Sequence, residues 1–193
     1  MKSRINKCIK SSLENYTRIL KDDVLQESIQ KIVTESIVAF RGDKKMLLCG
    51  NGGSAYAASH YITDWNKMVN IATGKQFKGI SLCDNIGLLT AFGNDISYDE
   101  VFAGQLKSIL SPEDLLITVS GSGNSPNVLR AIEYANSVGA DTLAIVGYDG
   151  GKSKLISKES VWINSFDMQL CEDLHLMFGH MVMKELCNTD IRI

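Results

Sequence analysis

The segment at 45–55 constrains this chain most, because an apolar run breaks there into a glycine-rich turn. It reads KMLLCGNGGSA, and after the apolar residues come Gly50, Asn51, Gly52, Gly53 and Ser54. Such a segment is typical of a strand, a tight loop and a helix start, where free backbone N–H groups attract anions. It matches neither G-x-G-x-x-G nor a P-loop. The segment predicts a βα unit whose first expected ligand is phosphorylated; a turn with no ligand is the alternative.

Composition limits the size and the partners of the protein. The 193 residues are 45% hydrophobic, which suits one domain, and the formal charge of −2 includes no basic cluster for nucleic acid. Five widely spaced cysteines without a C-x-x-C pair predict reduced thiols. No signal-peptide core follows Met1, and no apolar run has membrane-spanning length. We expect a cytoplasmic protein with no nucleic-acid or membrane partner.

Apolar residues recur every three or four positions over 3–41, which predicts helices. The periodicity divides near 21–23, and Gly42 is expected to end the second helix. So much amphipathic helix before the first strand indicates an oligomer surface, with an intramolecular cover as the alternative.

Short apolar runs then alternate with helical segments. Strands are predicted at 45–49, 78–82, 114–119, 141–146 and 160–163. Helices are predicted over 54–69, over 97–110 from a Ser97-x-x-Glu100 capping box, over 125–138 with Ser125 as N-cap, and over 168–187. This order predicts a three-layer αβα domain with a parallel sheet.

A second polar loop follows the third strand. Residues 120–125 read SGSGNS and lead directly into the capped helix, so hydroxyl groups and helix N–H groups lie together. Because ligands of parallel α/β sheets bind at the carboxyl ends of the strands, both loops are expected at one edge. A serine-rich turn that only caps a helix is the alternative.

These motifs occur in one order along the chain: 49–54, Asp84 with 93–95, 120–128, 150–152, and a final E-D-x-H-x4-H at 172–180. As a set they resemble the SIS (sugar isomerase) family, and within it the sedoheptulose 7-phosphate isomerases. The resemblance covers nearly the whole chain. It implies one SIS domain over 1–193 with a five-stranded parallel sheet, in which 1–42 pack a homotetramer and 43–193 form the core.

The resemblance also implies roles for individual residues. Ser120, Ser122 and Ser125 would hold the sugar phosphate. The sugar chain would contact residues of the first loop and of the region after the second strand: Asn51, Gly52, Gly53, Ser54, Asp84, Asn94 and Asp95. For Asp84 and Asp95, capping of the following turns is the alternative.

An aldose–ketose isomerase needs a base, a proton donor and stabilisation of an enediolate. His60 and Asp64 are four residues apart on one predicted helix, so they face the same way. By resemblance, the carboxylate at Asp64 and the imidazole of His180 form the acid/base pair. Glu172 joins them as a catalytic candidate on the last helix.

Some members of the family hold zinc at the positions of His60, Asp64, Glu172 and His180, so zinc, one ion per subunit, is the expected cofactor. The better-known heptose isomerases carry Glu at position 64 and Gln at position 172. These two departures leave open which carboxylate is the base. His175 is expected to be structural.

The sequence therefore predicts a cytoplasmic isomerase that converts sedoheptulose 7-phosphate into D-glycero-D-manno-heptose 7-phosphate. The alternative is a non-catalytic SIS protein that binds a sugar phosphate or a protein such as a replication initiator. A sugar-phosphate-sensing module of a transcription regulator is disfavoured, because no helix-turn-helix segment is attached.

Overall fold

Five parallel strands form one sheet in the computed structural model, which describes residues 2–190 without the side chain of Lys2. The strands are β1 (Met46–Gly50), β2 (Gly79–Ser81), β3 (Leu115–Ser120), β4 (Asp141–Val146) and β5 (Glu159–Trp162). Their order across the sheet is β2-β1-β3-β4-β5. The first residue and the last three of the predicted domain 1–193 lie outside the described residues.

Helices cover both faces of this sheet. They are α1 (Lys2–Leu20), α2 (Asp23–Arg41), α3 (Gly53–Asp64), α4 (Asn70–Thr73), α5 (Ile86–Asp95), α6 (Ala103–Ile109), α7 (Pro126–Ser137), α8 (Gly151–Ile156) and α9 (Met168–Cys187). All residues of β1 and β3 are buried, as expected for strands covered on both sides. The three-layer αβα prediction is confirmed. Within residues 2–190, no helix is both long and apolar enough to cross a lipid bilayer.

Alternate residues of the strands point to two hydrophobic cores. Leu48 and Ile117 face the core formed with α2, α3 and α9, whereas Leu47 and Leu116 face the core formed with α6 and α7. This period of two follows from the pleat of a strand. The first core fixes α9 against α3, which is the contact that builds the candidate site.

The helices differ from the prediction in three respects. The helix predicted over 54–69 changes to a π-helix at Trp65–Val69 and continues through α4. The capping box is wrong, because Ser97 precedes a short 3-10 turn at Tyr98–Glu100 and its side chain makes no cap hydrogen bond. Helix α5 was not predicted from the sequence. Its residues are all exposed or half-buried, so no apolar stripe indicates it.

The two N-terminal helices divide where predicted. Asp22 is the N-cap of α2 and accepts a hydrogen bond from the Leu25 N–H, and Gly42 is the C-cap. Ile19 is buried at the end of α1, but Ile5, Ile9 and Leu13 are 52%, 54% and 61% exposed. Among residues 2–190, therefore, nothing covers the apolar stripe of α1 over most of its length.

The strand order places a topological switch point between β1 and β3. The chain leaves β1 toward β2 on one side and leaves β3 toward β4 on the other, so the loops after β1 and β3 diverge from a shared crevice. These are the two polar loops of the sequence. The fold thus brings the predicted anion-binding segments together.

Candidate active site

The loop after β3 is arranged around its serine hydroxyl groups. The Gly123 N–H donates to Ser120 Oγ at 3.1 Å, and the Asn124 N–H donates to Ser122 Oγ at 3.2 Å. Ser125 occupies the N-cap of α7 as predicted, yet its side chain makes no cap hydrogen bond in the described structure. Its hydroxyl group is therefore available to a ligand at the helix N-terminus.

A second glycine turn supports the serine loop from outside. The Ser153 N–H donates to the Gly123 carbonyl at 2.8 Å, and the Lys152 N–H donates to Asn124 Oδ1 at 3.0 Å. Gly151 has a φ of +55°, and a β-carbon there would overlap the Ser122 carbonyl. The Gly-Gly-Lys motif at 150–152 thus fixes the serine loop.

The two polar loops are joined by a pair of asparagines. Asn51 and Asn127 exchange side-chain hydrogen bonds of 2.8 and 2.9 Å, and the Tyr98 hydroxyl donates to Asn51 Oδ1 at 3.0 Å. Asn127 is 1% exposed. Because the side-chain amide of Asn51 bonds to Asn127, this pair holds the two loops together across the switch point.

Glu172 of α9 lies beside the first residue of α3 and lines the cavity between the loops. This cavity of about 130 Å³ is lined by Asn51, Ser54, Val119, Ser120, Gly121, Ser122, Ser125, Met168 and Glu172. A β-carbon at Gly53 would meet Glu172 Oε1 at 2.5 Å, so glycine at this position makes room for the carboxylate. Glu172 therefore borders the serine loop and lines the same cavity as Ser54.

His60, Asp64 and His180 form the second part of the site. The Nε2 atoms of the two histidines are 2.9 Å apart, and Asp64 Oδ2 lies 3.4 Å from the first and 3.6 Å from the second. The side chains of His60, Asp64 and His180 are 43%, 26% and 41% exposed, so a solute can reach them. The four-residue spacing of His60 and Asp64 places them side by side, as predicted.

Glu172 is not a member of this group within residues 2–190. It lies eight residues before His180 on α9, which is about 12 Å along a helix axis. The four predicted metal ligands are therefore divided between a group of three and one residue beside the serine loop.

The remaining predicted sugar contacts lie away from the serine cavity. Asp84 accepts hydrogen bonds from the hydroxyl groups of Ser59 and Ser81. Asn94 and Asp95 are exposed at the end of α5, where the Asn94 amide donates to Asp95 Oδ1 at 2.8 Å. The cavity is not lined by any of the three in the described chain.

Two cysteines adjoin the first loop: Cys49 directly precedes it, and the Cys83 thiol donates to the Gly50 carbonyl at 3.4 Å. Burial raises the pKa of Cys83, and it raises the pKa of the fully buried Cys49 further. Both thiols remain protonated at neutral pH, so neither is a nucleophile.

This geometry has known counterparts. A family model described as the SIS domain matches residues 10–147, which is most of the chain. The chain belongs to the SIS family.

Curated relatives and solved structures extend the match. Phosphoheptose isomerase of Clostridium acetobutylicum is 38% identical over 182 residues, covering 94% of this chain and 92% of the relative. That of Aliarcobacter butzleri is 33% identical over 188 residues, covering 97% and 98%. The structure of phosphoheptose isomerase from Neisseria gonorrhoeae has a TM-score of 0.88 at 26% identity, covering 97% of this chain and 99% of that one.

The donor set of this SIS domain fits a zinc ion. Two imidazole nitrogens and one carboxylate oxygen converge within 4.8 Å of one another, and this is the ligand type of catalytic zinc sites that keep an open position. His60, Asp64 and His180 are the residues that could hold the ion.

Sequence reasoning gave no role to Asn127 or Tyr98, although both contact Asn51. Asn127 stands one residue after the predicted N1 proline, where a buried polar side chain needs a partner. This position could have indicated from the sequence that Asn127 bonds to a polar partner. Tyr98 had no comparable signal, because it lies in a short 3-10 turn that the sequence pattern did not predict.

Proposed function

We propose that this SIS domain is a phosphosugar isomerase that converts sedoheptulose 7-phosphate into D-glycero-D-manno-heptose 7-phosphate. The observation that carries the proposal is that His60, Asp64 and His180 meet between α3 and α9, and that the same two helices border the serine-lined cavity. The phosphoheptose isomerases among the curated relatives support the substrate.

Binding begins with the phosphate. The hydroxyl groups of Ser120, Ser122 and Ser125 and the N-terminus of α7 are donors for a dianion. The first loop, with Gly52, Gly53 and Ser54, borders the same space, and its Asn51 holds the two loops together. Asp84, Asn94 and Asp95 stay proposed sugar contacts, although they do not line the serine cavity in the described chain.

A linear sugar phosphate spans from the serine loop toward His180. Gly53 and His60 are seven residues apart on α3, and Glu172 and His180 are eight apart on α9, so both pairs are separated by about two turns. A phosphate at the first end leaves the carbonyl end of the sugar near the histidines. Glu172, beside Gly53 at the first end, would accept hydrogen bonds from sugar hydroxyl groups.

The chemistry moves one carbon-bound proton and one hydroxyl proton. The Asp64 carboxylate removes a proton from C1, the C–H electron pair forms the C1=C2 bond, and His180 gives a proton to O2. His180 then takes the O1 proton, C1=O forms, and Asp64 returns its proton to C2. The net change is a ketose to an aldose with no redox partner. Glu172 is the other carboxylate that could act as the base.

A bound zinc ion would polarise the sugar carbonyl and stabilise the enediolate charge. Nε2 of His180 cannot hold a metal and transfer a proton at the same time. Zinc dependence therefore separates two roles for His180, which are metal ligand and proton donor.

The assembly we propose is a homotetramer that packs through the N-terminal helices. The exposed stripe of Ile5, Ile9 and Leu13 on α1 supports it. A groove of about 470 Å³ between α2 and α9, with Leu20, Ile29, Val33 and Met181 in its walls, lies beside α1. We propose a cytoplasmic location, supported by five cysteines that are all unpaired.

The deciding experiment is an isomerisation assay on the purified protein with sedoheptulose 7-phosphate, followed by NMR. The protein is stripped with a chelator and assayed with and without added Zn²⁺. Turnover only with Zn²⁺ supports isomerase and metal together, and equal turnover supports a metal-free acid/base pair. Thermal stabilisation by the sugar phosphate without turnover would contradict the isomerase and favour the binding protein.

A further inference from the structure

Two aromatic side chains of α3 and its π-helical extension donate hydrogen bonds to backbone carbonyl groups of α9. Trp65 Nε1 donates to the Gly179 carbonyl at 2.9 Å, and the Tyr61 hydroxyl donates to the His175 carbonyl. The two donors are four residues apart, and so are the two acceptors. The bonds therefore link the same faces of the two helices over one helical turn.

Each bond lies next to a residue of the group of three. Tyr61 follows His60, Trp65 follows Asp64, and Gly179 precedes His180. Successive residues of a helix are rotated by about 100°. The site residues thus point toward the cleft, while their neighbours point into the contact between the helices.

This contact is buried and tightly packed. Tyr61 and Trp65 are 1% and 0% exposed, and their ring centroids are 5.2 Å apart. Trp65 also packs edge-on against Phe77 at 5.7 Å. A β-carbon at Gly179 would overlap the Tyr61 ring, so glycine at that position allows the ring to lie on the backbone of α9. The arrangement leaves little freedom for α9 to shift.

The backbone changes character at this point. The chain passes from the α-helix to a π-helix at Trp65–Val69, directly after Asp64. Single π-turns inside helices are frequent at functional sites. The wider turn begins at Trp65, the residue whose indole reaches Gly179.

We propose that Trp65 and Tyr61 are positioning residues that set the place of His180 relative to His60 and Asp64. The inference rests on the proposed isomerase function and deepens it. A slip of α9 by one residue would move His180 by about 1.5 Å along the axis and about 100° around it. The two hydrogen bonds oppose such a slip because each side-chain donor reaches one particular carbonyl of α9.

The test is Trp65→Phe, which removes the indole N–H and keeps an aromatic ring. The matched control is Trp162→Phe, because Trp162 Nε1 also donates to a backbone carbonyl, that of Tyr148, at 3.0 Å. Tyr61→Phe is the second variant, since it removes one hydroxyl group and changes almost no volume. Circular dichroism and thermal unfolding establish that each variant is folded.

Two readouts separate positioning from stability. We expect Trp65→Phe to lower kcat by about tenfold to a hundredfold with KM within about twofold, because the serine loop is untouched. Tyr61→Phe is expected to act in the same direction, and Trp162→Phe to leave both constants unchanged. The second readout is ¹⁵N NMR of the ring nitrogens in histidine-labelled protein, which has only three histidines.

The NMR arm does not depend on activity. The ring nitrogen shifts report the hydrogen bonding of His60 and His180, and we expect both to move in the α3 variants and to stay unchanged in Trp162→Phe. Unchanged shifts and an unchanged kcat in folded Trp65→Phe and Tyr61→Phe would overturn the inference. A wild-type protein without turnover would contradict the proposed function, and the NMR shifts would still decide the positioning.

Discussion

The Nε2 atoms of His60 and His180 face each other at 2.9 Å across 120 residues of sequence. A hydrogen bond at this distance needs one ring to donate its N–H to the other, and Asp64 Oδ2 lies within 3.6 Å of both rings. The arrangement can pass protons through the group or close around a cation. Both uses belong to the isomerisation that we propose.

Removal of the carboxylate should stop the chemistry without harming binding. We expect Asp64→Asn to lower kcat by about 10² to 10⁴, because an amide is no base, while KM changes little. The matched control is Glu133→Gln on the exposed face of α7, which should keep wild-type rates. Steady-state kinetics on sedoheptulose 7-phosphate measure both. A variant Asp64→Asn with near-wild-type kcat would transfer the base assignment to Glu172.

Removal of hydroxyl groups from the serine loop should act on binding instead. We expect Ser122→Ala combined with Ser125→Ala to raise KM by more than about tenfold, since two hydrogen bonds to a charged group are lost. Ser137→Ala, at the far end of α7, is the control, because its hydroxyl group donates to the Tyr134 carbonyl of the same helix. An unchanged KM in the double variant would exclude this loop as the phosphate site.

The buried His175 should make stability depend on pH. Burial lowers its pKa from 6.5 to about 4, and neither ring nitrogen has a partner among the described residues. Between these two pKa values the unfolded chain binds a proton at His175 that the folded chain does not bind. The free energy of unfolding therefore falls as pH decreases from 6.5 to about 4, by up to about 3 kcal/mol.

The measurement is urea unfolding of the wild type and of His175→Leu at pH 7 and pH 4.5. The variant should lose less stability on acidification, because leucine cannot take up a proton. Equal losses in the two proteins would contradict the assignment. The carboxylates common to both proteins cancel in this comparison.

Local sequence patterns determined much of the fold. The bounds of α9 and of β4 agree with prediction, because long apolar periodicity and a continuous apolar run are the clearest signals. Strand β2 is shorter than predicted, and helix α5 was not predicted. Both lie near an edge where few residues are buried, so the sequence carries little apolar pattern there.

The candidate site divides in the same way. The spacing of His60 and Asp64 is local, so a helix alone predicts that they meet. Glu172 beside Gly53 is a contact between distant elements, and it depends on how α9 packs against α3. The eight-residue spacing of Glu172 and His180 gives an axial separation of about two turns along α9. Which residues of α3 each of them meets follows from tertiary packing, which one sequence does not contain.

Stability and catalysis should separate at the opposite edge of the sheet. Asp114 is 1% exposed, accepts from the backbone N–H groups of Lys45 and Ser111 at 2.8 Å, and pairs with Lys45 Nζ at 2.7 Å. We expect Asp114→Ala to destabilise the protein by about 3 kcal/mol, because a buried network loses its acceptor.

The control for Asp114 is Asp141→Ala, whose carboxylate pairs with Lys158 at 2.9 Å on the exposed surface. Exposed pairs contribute less than about 1 kcal/mol. Chemical denaturation gives both values, and KM should stay unchanged in the two variants. Equal destabilisation by the two substitutions would show that burial is not the cause.

The apolar stripe of α1 should control assembly. We expect the triple variant Ile5→Ser, Ile9→Ser and Leu13→Ser to dissociate the proposed tetramer. The variant lacks the apolar side chains whose burial between subunits would stabilise the assembly. Lys10→Ser with Glu14→Ser is the control, since this exposed i,i+4 pair lies on another face of the same helix. Analytical ultracentrifugation at several protein concentrations distinguishes the species. A triple variant that keeps the wild-type mass would exclude α1 as the interface, and a monomeric wild type would exclude the tetramer itself.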